Sequence, residues 1–181
     1  GSEMCIRDSL YINYSNLIVV KSGIKRLILL ISIMFRGLNK ISLDTKGRIS
    51  IPTKYRSELA KYGSSKLICT IDIDQCLLLY PKKIWLKIEK TIMELPSLDK
   101  SSRMLQRLMI GHASELVLDS NNRILVPIEL REFSGIKKSA MFIGQGQRFE
   151  IWNYRSWNES RDLWLSKSDF TLTDQLRDIS I

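Results

Sequence analysis

Two aspartate–arginine pairs with the same four-residue spacing are the residues of this sequence best suited to a chemical role. Asp44 precedes Arg48, and Asp119 precedes Arg123. An arginine side chain can donate paired hydrogen bonds to a phosphate or to a base edge, and an aspartate four residues earlier can hold it across a turn. From spacing alone, each pair could also be an ion pair that only stabilises a hairpin. Further basic residues surround the first pair: Arg36, Lys40, Lys46, Lys54 and Arg56.

The chain as a whole is basic. It has 28 lysines and arginines against 19 acidic residues, which gives a formal net charge of +9 at pH 7, and its isoelectric point is about 9.6. Such a balance favours polyanionic partners, either nucleic acid or an anionic membrane, although many basic proteins bind neither. The hydrophobic share of 44% and the charged share of 26% are ordinary for a folded soluble protein.

No other residues form a pattern typical of catalysis or metal binding. The three cysteines make no CxxC motif, and Cys69 and Cys76 lie in apolar segments, where we expect buried thiols in a reducing compartment. His112 is the only histidine and is expected to lie at a helix end. Asp72 and Asp74 follow a predicted strand without a third ligand, which favours a turn. We therefore predict no enzyme activity, no metal site and no cofactor.

The first 33 residues differ from the rest of the chain. The uninterrupted apolar stretch from Leu27 to Phe35 is too short for a membrane-spanning helix, which needs about 20 residues. We expect residues 1–33 to be a non-native or mis-called extension, with Met34 as the natural start. The remaining chain lacks four basic and two acidic residues and keeps a net charge of +7. A membrane-tethered basic protein is the alternative if residues 17–35 are genuine, but we predict no membrane partner.

An internal repeat sets the predicted architecture. The twelve residues from Ile41 to Pro52 recur from Leu116 to Pro127, with both aspartate–arginine pairs in matching positions. Further along, Arg56 matches Arg131 and Trp85 matches Trp157. Each copy has two period-two apolar segments around a polar turn, a proline, a short helix and two more apolar strands.

This pattern predicts a β–β–α–β–β unit of about 45 residues, which is small enough that the two copies should pack against each other. Helices are expected after Pro81, from Asp99 and around Trp157. The fold class is therefore α+β and mainly β. The predicted boundaries are 38–85 for the first domain, 86–113 for a helical linker, 114–157 for the second domain and 158–181 for a helical tail.

Several motifs in order resemble the MraZ family of transcriptional regulators. They are Met34-Phe-Arg-Gly, Leu43-Asp-Thr-Lys-Gly-Arg, Cys76-Leu-Leu-Leu-Tyr-Pro, Gln106-Arg-Leu-Met-Ile-Gly-His-Ala, Leu118-Asp-Ser-Asn-Asn-Arg-Ile-Leu-Val-Pro and Gly144-Gln-Gly-Gln-Arg-Phe-Glu-Ile-Trp. The resemblance extends from Met34 to the end of the chain. It implies two tandem domains of the SpoVT–AbrB type, intertwined as swapped-hairpin β-barrels, and closed homo-oligomeric rings of about eight or twelve subunits.

The resemblance also implies a function. Such proteins bind double-stranded DNA at promoter direct repeats of the division and cell-wall gene cluster, which includes their own gene, and we expect an autoregulatory repressor in the cytoplasm, associated with the nucleoid. The residues expected to contact DNA are Arg48, Lys46, Arg36, Lys40 and Arg123, while Asp44 and Asp119 orient the hairpins.

One departure is that Asn121-Asn122 stands where the first copy has Lys46-Gly47, so equal DNA contact from both copies is not implied. An antitoxin-like protein that binds a toxin partner is the alternative function, because the same fold serves both roles.

Overall fold

The structure, a computed structural model, describes residues 34–63 and 65–166 of the chain. The expectation for residues 1–33 lies outside these described residues. So does the part of the predicted helical tail from residue 167 onwards.

The strands and helices follow one another in the predicted order, with pairs of strands separated by helices. The strands are β1 (Phe35–Ser42), β2 (Arg48–Ser50), β3 (Lys66–Ile71), β4 (Leu77–Pro81), β5 (Ser114–Val117), β6 (Arg123–Leu125), β7 (Ser139–Gly146) and β8 (Arg148–Asn153). The helices are α1 (Thr53–Lys61), α2 (Lys82–Met93), α3 (Lys100–Met109), α4 (Ile128–Ser134) and α5 (Tyr154–Ser166). Within the described residues the β–β–α–β–β unit thus occurs twice, separated by α2 and α3, which confirms the predicted mainly β fold with helices.

Local sequence signals account for the ends of several helices. Pro52 and Pro127 directly precede α1 and α4, with φ of −56° and −53°, and at these positions a missing backbone N–H costs no helical hydrogen bond. The Asp99 carboxylate accepts a hydrogen bond of 2.6 Å from the backbone N–H of Ser102 and caps α3. Gly135 ends α4 with φ of +64°, a conformation that glycine adopts without strain.

The outer strand of each copy pairs with the other copy. One antiparallel sheet has the order β1-β7-β8-β4-β3-β5, and a second contains only β2 and β6. The first strand, β1, therefore lies against β7 of the second copy, from Phe35 opposite Gly146 to Ser42 opposite Ser139. In the same way β5 lies against β3 of the first copy. The segments 38–85 and 114–157 are thus sequence repeats that contribute strands to both sheets.

In the described residues, the strands on either side of the first polar turn, β1 and β2, do not form a continuous hairpin ladder. Between β1 and β2 the structure has an isolated bridge, from Leu43 to Ile49. The period-two pattern correctly predicted the strands, but it carries no information about their partners. The backbone groups of β1 are instead paired with β7 across the sheet.

An aromatic cluster contributed by both copies forms the centre of the core. Phe35 of β1 packs on Phe149 of β8 with ring centroids 4.1 Å apart. Tyr55 of α1 lies 4.9 Å from Phe149 and 5.8 Å from Phe142 of β7. The Tyr55 hydroxyl donates to the carbonyl oxygens of Arg36 and Gly37 at 2.9 and 2.8 Å. Because these elements alternate between copies, neither copy has this core by itself.

Trp85 is buried in the core, whereas the tryptophans of α5 form a partly exposed cluster on Trp152. Trp85 is 2% exposed, and the ring centroids of Trp157 and Trp164 lie 5.6 and 6.0 Å from that of Trp152. Cys69 and Cys76 are free and buried, and burial raises the pKa of the Cys69 thiol to about 12. The described residues contain no helix long and apolar enough to cross a membrane.

Removing the Phe35 ring should destabilise the whole fold. Phe35 is 0% exposed, whereas Phe133 on α4 is 36% exposed. We expect Phe35→Ala to lower the free energy of unfolding by about 3–5 kcal/mol, and Phe133→Ala to lower it by under about 1 kcal/mol. Urea denaturation followed by circular dichroism measures both values. Equal losses in the two variants would contradict a core centred on β1.

Candidate nucleic-acid interface

The β2–β6 ribbon presents both predicted arginines on one face. In its register Arg48 lies opposite Leu125, and Ser50 lies opposite Arg123. Side chains alternate between the two faces of a strand. The central pair, Ile49 and Ile124, is 1% and 0% exposed and therefore faces the core. The outer face, named the ribbon face below, consists of Arg48, Ser50, Arg123 and Leu125.

A tight turn before β2 fixes the position of Arg48. One carboxylate oxygen of Asp44, Oδ1, accepts hydrogen bonds of 2.9 Å from the backbone N–H groups of Lys46 and Arg48. The other oxygen, Oδ2, accepts a 2.7 Å hydrogen bond from Nε of Arg48. Gly47 closes the turn by donating to the Asp44 carbonyl at 3.0 Å, with φ of +81°. A single aspartate thus holds both the backbone and the arginine side chain.

The turn before β6 repeats this geometry. Oδ1 of Asp119 accepts from the backbone N–H groups of Asn121 and Arg123 at 2.8 and 2.9 Å. Oδ2 of Asp119 accepts from Nε of Arg123 at 2.8 Å. Asn122 takes the position of Gly47 with φ of +57°, which asparagine tolerates better than most residues. Because β2 and β6 are antiparallel, the two turns lie at opposite ends of the ribbon.

These contacts stabilise the ionised form of both carboxylates. The hydrogen bond from the backbone of Arg48, followed by those from its side chain and from the backbone of Lys46, lowers the pKa of Asp44 to about 2 against the opposing effect of desolvation. The pKa of Asp119 is lowered in the same way, chiefly by the backbone N–H of Arg123. The aspartates therefore act as fixed anions that orient the arginines.

Each arginine is held by one edge of its guanidinium. Within residues 34–63 and 65–166, Nε of Arg48 and Nε of Arg123 are their only side-chain atoms with hydrogen-bond partners. The side chains are 30% and 29% exposed. The two terminal nitrogens of each guanidinium can therefore donate a parallel pair of hydrogen bonds to an external acceptor.

Two further arginines belong to the same region and were not among the predicted contact residues. Nε of Arg56 donates to the carbonyl of Ile51 at 2.9 Å, and Nε of Arg131 donates to that of Val126 at 3.0 Å. Arg131 also covers the first turn, because a Cβ atom on Gly47 would lie 2.7 Å from its Cζ. The match of Arg56 with Arg131 in the repeat was a signal for this pair.

The remaining predicted cations divide into two groups. Lys46 is exposed in the first turn. Arg36 and Lys40 instead lie on β1, where Arg36 is roughly 20 Å from the strand end at Ser42 at about 3.3 Å per residue. Nζ of Lys40 lies 4.0 Å from the ring centroid of Tyr154, a cation–π contact. The structure therefore brings Lys46, Arg48 and Arg123 to the ribbon and keeps Arg36 on β1.

The fold and this surface define a class of protein: two tandem β–β–α–β–β units with exchanged outer strands and a cationic ribbon between two aspartate-capped turns. A family described as "MraZ protein, putative antitoxin-like" matches the chain over residues 34–108 and 109–176. The chain belongs to the MraZ family. Each matched repeat contains one β–β–α–β–β unit together with helices that follow it.

Similar proteins carry one name, "Transcriptional regulator MraZ". The protein from Thioalkalivibrio sulfidiphilus is 44% identical over 138 residues, which cover 76% of this chain and 92% of the relative. The protein from Legionella pneumophila (strain Paris) is 44% identical over 144 residues, covering 79% and 94%. The protein from Halorhodospira halophila is 41% identical over 152 residues, covering 82% and 100%. The names denote regulators rather than enzymes.

The low pKa of Asp44 gives a direct test of the turn geometry. We expect Arg48→Ala to raise this pKa while leaving it below the ordinary value of 3.8, because the backbone N–H groups still donate to the carboxylate. The measurement is a carboxyl-carbon NMR titration of the full chain. Arg123→Ala serves as the matched control, since it should shift Asp119 and leave Asp44 unchanged. A return of Asp44 to 3.8 in Arg48→Ala would refute the backbone contribution.

The same shift fixes the sign of the pH dependence. The folded-state pKa of Asp44, about 2, lies below its ordinary value of 3.8. The turn therefore contributes its full stabilisation above about pH 4 and loses it as the pH falls towards 2.

Proposed function

We propose that this protein is a DNA-binding transcriptional regulator that inserts the ribbon face into the major groove. The observation that carries the proposal is the two-stranded ribbon with Arg48 and Arg123 held on its exposed face. The major groove of B-DNA is wide enough to admit a two-stranded β-ribbon. The net charge of +9 and the names of the relatives support the same conclusion.

Sequence recognition rests on the arginines in this proposal. Arg48, and Arg123 at the other end of the ribbon, donate paired hydrogen bonds to O6 and N7 of guanine. Asp44 and Asp119 do not contact DNA. They hold each arginine by its Nε before DNA arrives, so less side-chain entropy is lost on binding.

Affinity that is independent of sequence comes from phosphate contacts. Lys46 in the first turn is the leading candidate, whereas the second turn has the neutral Asn121 in the matching position. Arg36 and Lys40 are proposed as outer contacts with a smaller contribution, because they lie on β1 rather than on the ribbon. The first turn therefore supplies more of the electrostatic attraction than the second.

A single ribbon offers few base contacts, so we propose that several copies act together. A homo-oligomeric ring of about eight or twelve subunits would engage direct repeats in the promoter of the division and cell-wall gene cluster, including the protein's own gene. Linked binding events of this kind raise the apparent affinity by about 10²–10⁴. Exposed apolar side chains on α2 and α3 support subunit association: Leu86, Met93, Met104 and Leu105. We propose further that the protein represses these promoters, including its own, and that it lies in the cytoplasm, associated with the nucleoid.

A second candidate function follows from the words "antitoxin-like" in the family description. An antitoxin isolated from its own cells would form a stoichiometric complex with a second small polypeptide. Native mass spectrometry separates this candidate from a homo-oligomer, which contains this chain alone.

Replacing Arg48 should weaken binding to the operator selectively. Loss of one paired contact to guanine costs about 1–3 kcal/mol, which corresponds to a rise in Kd of about 5- to 150-fold. We expect this rise for Arg48→Ala with duplex DNA from upstream of the protein's own gene, measured by fluorescence anisotropy. Arg155→Ala is the matched control, because Arg155 also donates through Nε to a carboxylate, that of Glu159 on α5. Unchanged operator binding in Arg48→Ala would remove the central residue of the proposal.

Replacing Lys46 should act differently. Lys46→Ala removes a phosphate contact, so it should weaken binding to operator and scrambled duplexes alike. The slope of log Kd against log salt should fall by about 0.9 for each engaged subunit. A loss restricted to the operator would show that Lys46 reads bases instead.

A further inference from the structure

The ribbon face is not symmetric, although its two arginines are equivalent in the repeat. Ser50 of the first copy and Leu125 of the second occupy matching positions, three residues after the aspartate-capped turns. The register sets Leu125 beside Arg48, and Ser50 beside Arg123. One end of the ribbon therefore combines an arginine with a large apolar side chain, and the other combines an arginine with a small hydroxyl.

The core does not require a leucine at this position. Leu125 is 55% exposed, while its neighbours Ile124 and Val126 are 0% and 2% exposed and pack inside. The matching residue Ser50 is exposed too, so the same ribbon accommodates a polar side chain at the equivalent place. An apolar side chain held outward next to a guanidinium is suited to a surface that has both an acceptor edge and an apolar group.

The major groove of DNA offers such a surface. Guanine presents two acceptors there, and the C5-methyl group of thymine is the apolar group among the base edges. We infer that Leu125 contacts a thymine methyl next to the guanine bound by Arg48, so that the two ends of the ribbon read different bases. This inference rests on the proposed DNA-binding function and names the base chemistry that the ribbon selects.

An unequal ribbon has a preferred direction on the duplex. With identical ends, the two arginines would favour a site that reads the same on both strands. The Arg48–Leu125 end favours a methyl group beside its guanine, whereas Ser50, beside Arg123, can hydrogen-bond to any base. Each subunit then binds in one orientation, which matches repeats that all point the same way.

Deoxyuridine tests the inference, because it differs from thymidine only by the missing methyl group. The probe is the duplex from upstream of the protein's own gene, synthesised with thymine and again with uracil at every thymine position. Burial of one methyl group corresponds to about a fourfold change in Kd. We expect the full chain to bind the uracil duplex about fourfold more weakly for each engaged ribbon, as measured by fluorescence anisotropy.

Two variants and a control separate Leu125 from other sources of the effect. Leu125→Ser should bind the thymine and uracil duplexes equally. Ser50→Leu should increase the preference for the thymine duplex by adding an apolar group at the other end. Ile73→Ser is the matched control, because Ile73 lies in the turn between β3 and β4 with 82% exposure and should leave the preference unchanged.

The outcomes distinguish this inference from the function on which it rests. If the wild-type chain binds the operator no more tightly than a scrambled duplex, the proposed function fails. If it binds the operator selectively but with equal Kd for thymine and uracil, only the role of Leu125 is overturned. The role is also overturned if Leu125→Ser keeps the thymine preference. It is overturned as well if this variant changes the oligomeric mass, which would place Leu125 in a contact between subunits.

Discussion

The exchange of outer strands between the two copies is the constraint on which the rest of the structure depends. A strand at the edge of a sheet has unpaired backbone groups that must be satisfied. Here β1 covers the edge of β7 and β5 covers the edge of β3, each on the opposite copy, so that β1 and β5 form the outer edges of the sheet. Because β1 and β5 are committed to the large sheet, β2 and β6 pair with each other. The exposed ribbon with its two arginine turns is therefore a consequence of the exchange.

Joining both copies in one chain allows matching positions to differ. Lys40 and Glu115 are equivalent in the repeat, yet Lys40 contacts the Tyr154 ring while Glu115 forms ion pairs with Lys66 and Lys82 at 2.6 and 2.5 Å. Each residue connects its outer strand to a neighbouring element, but the residue is a cation in the first copy and an anion in the second. The turns differ as well, since Gly47 admits the guanidinium of the other copy's helix arginine. In a homodimer of a single unit, any such change would appear at both positions together.

The sequence predicted the elements and contacts that depend on residues close together along the chain. Prolines, a capping aspartate and period-two apolar residues located the helices and strands, and the four-residue spacing indicated the Asp44–Arg48 contact. Partners distant in sequence gave no such signal. The pairing of β1 with β7 and the approach of Arg131 to Gly47 both join different repeats, and no local pattern encodes either. Arg36 was grouped with the turn because it is close in sequence, but an extended strand carries it away.

The position of β1 in the sheet also affects how the protein is made. Its partner β7 follows about 100 residues later, so at about 5–20 residues per second the ribosome needs roughly 5–20 seconds to supply it. During that interval the Phe35 side chain, which ends up fully enclosed, can reach Tyr55 and Tyr62 of its own copy but lacks Phe149, the ring nearest to it in the folded protein. The nascent chain is then exposed to aggregation, and chaperones that shield such a segment during translation would improve the yield of folded protein.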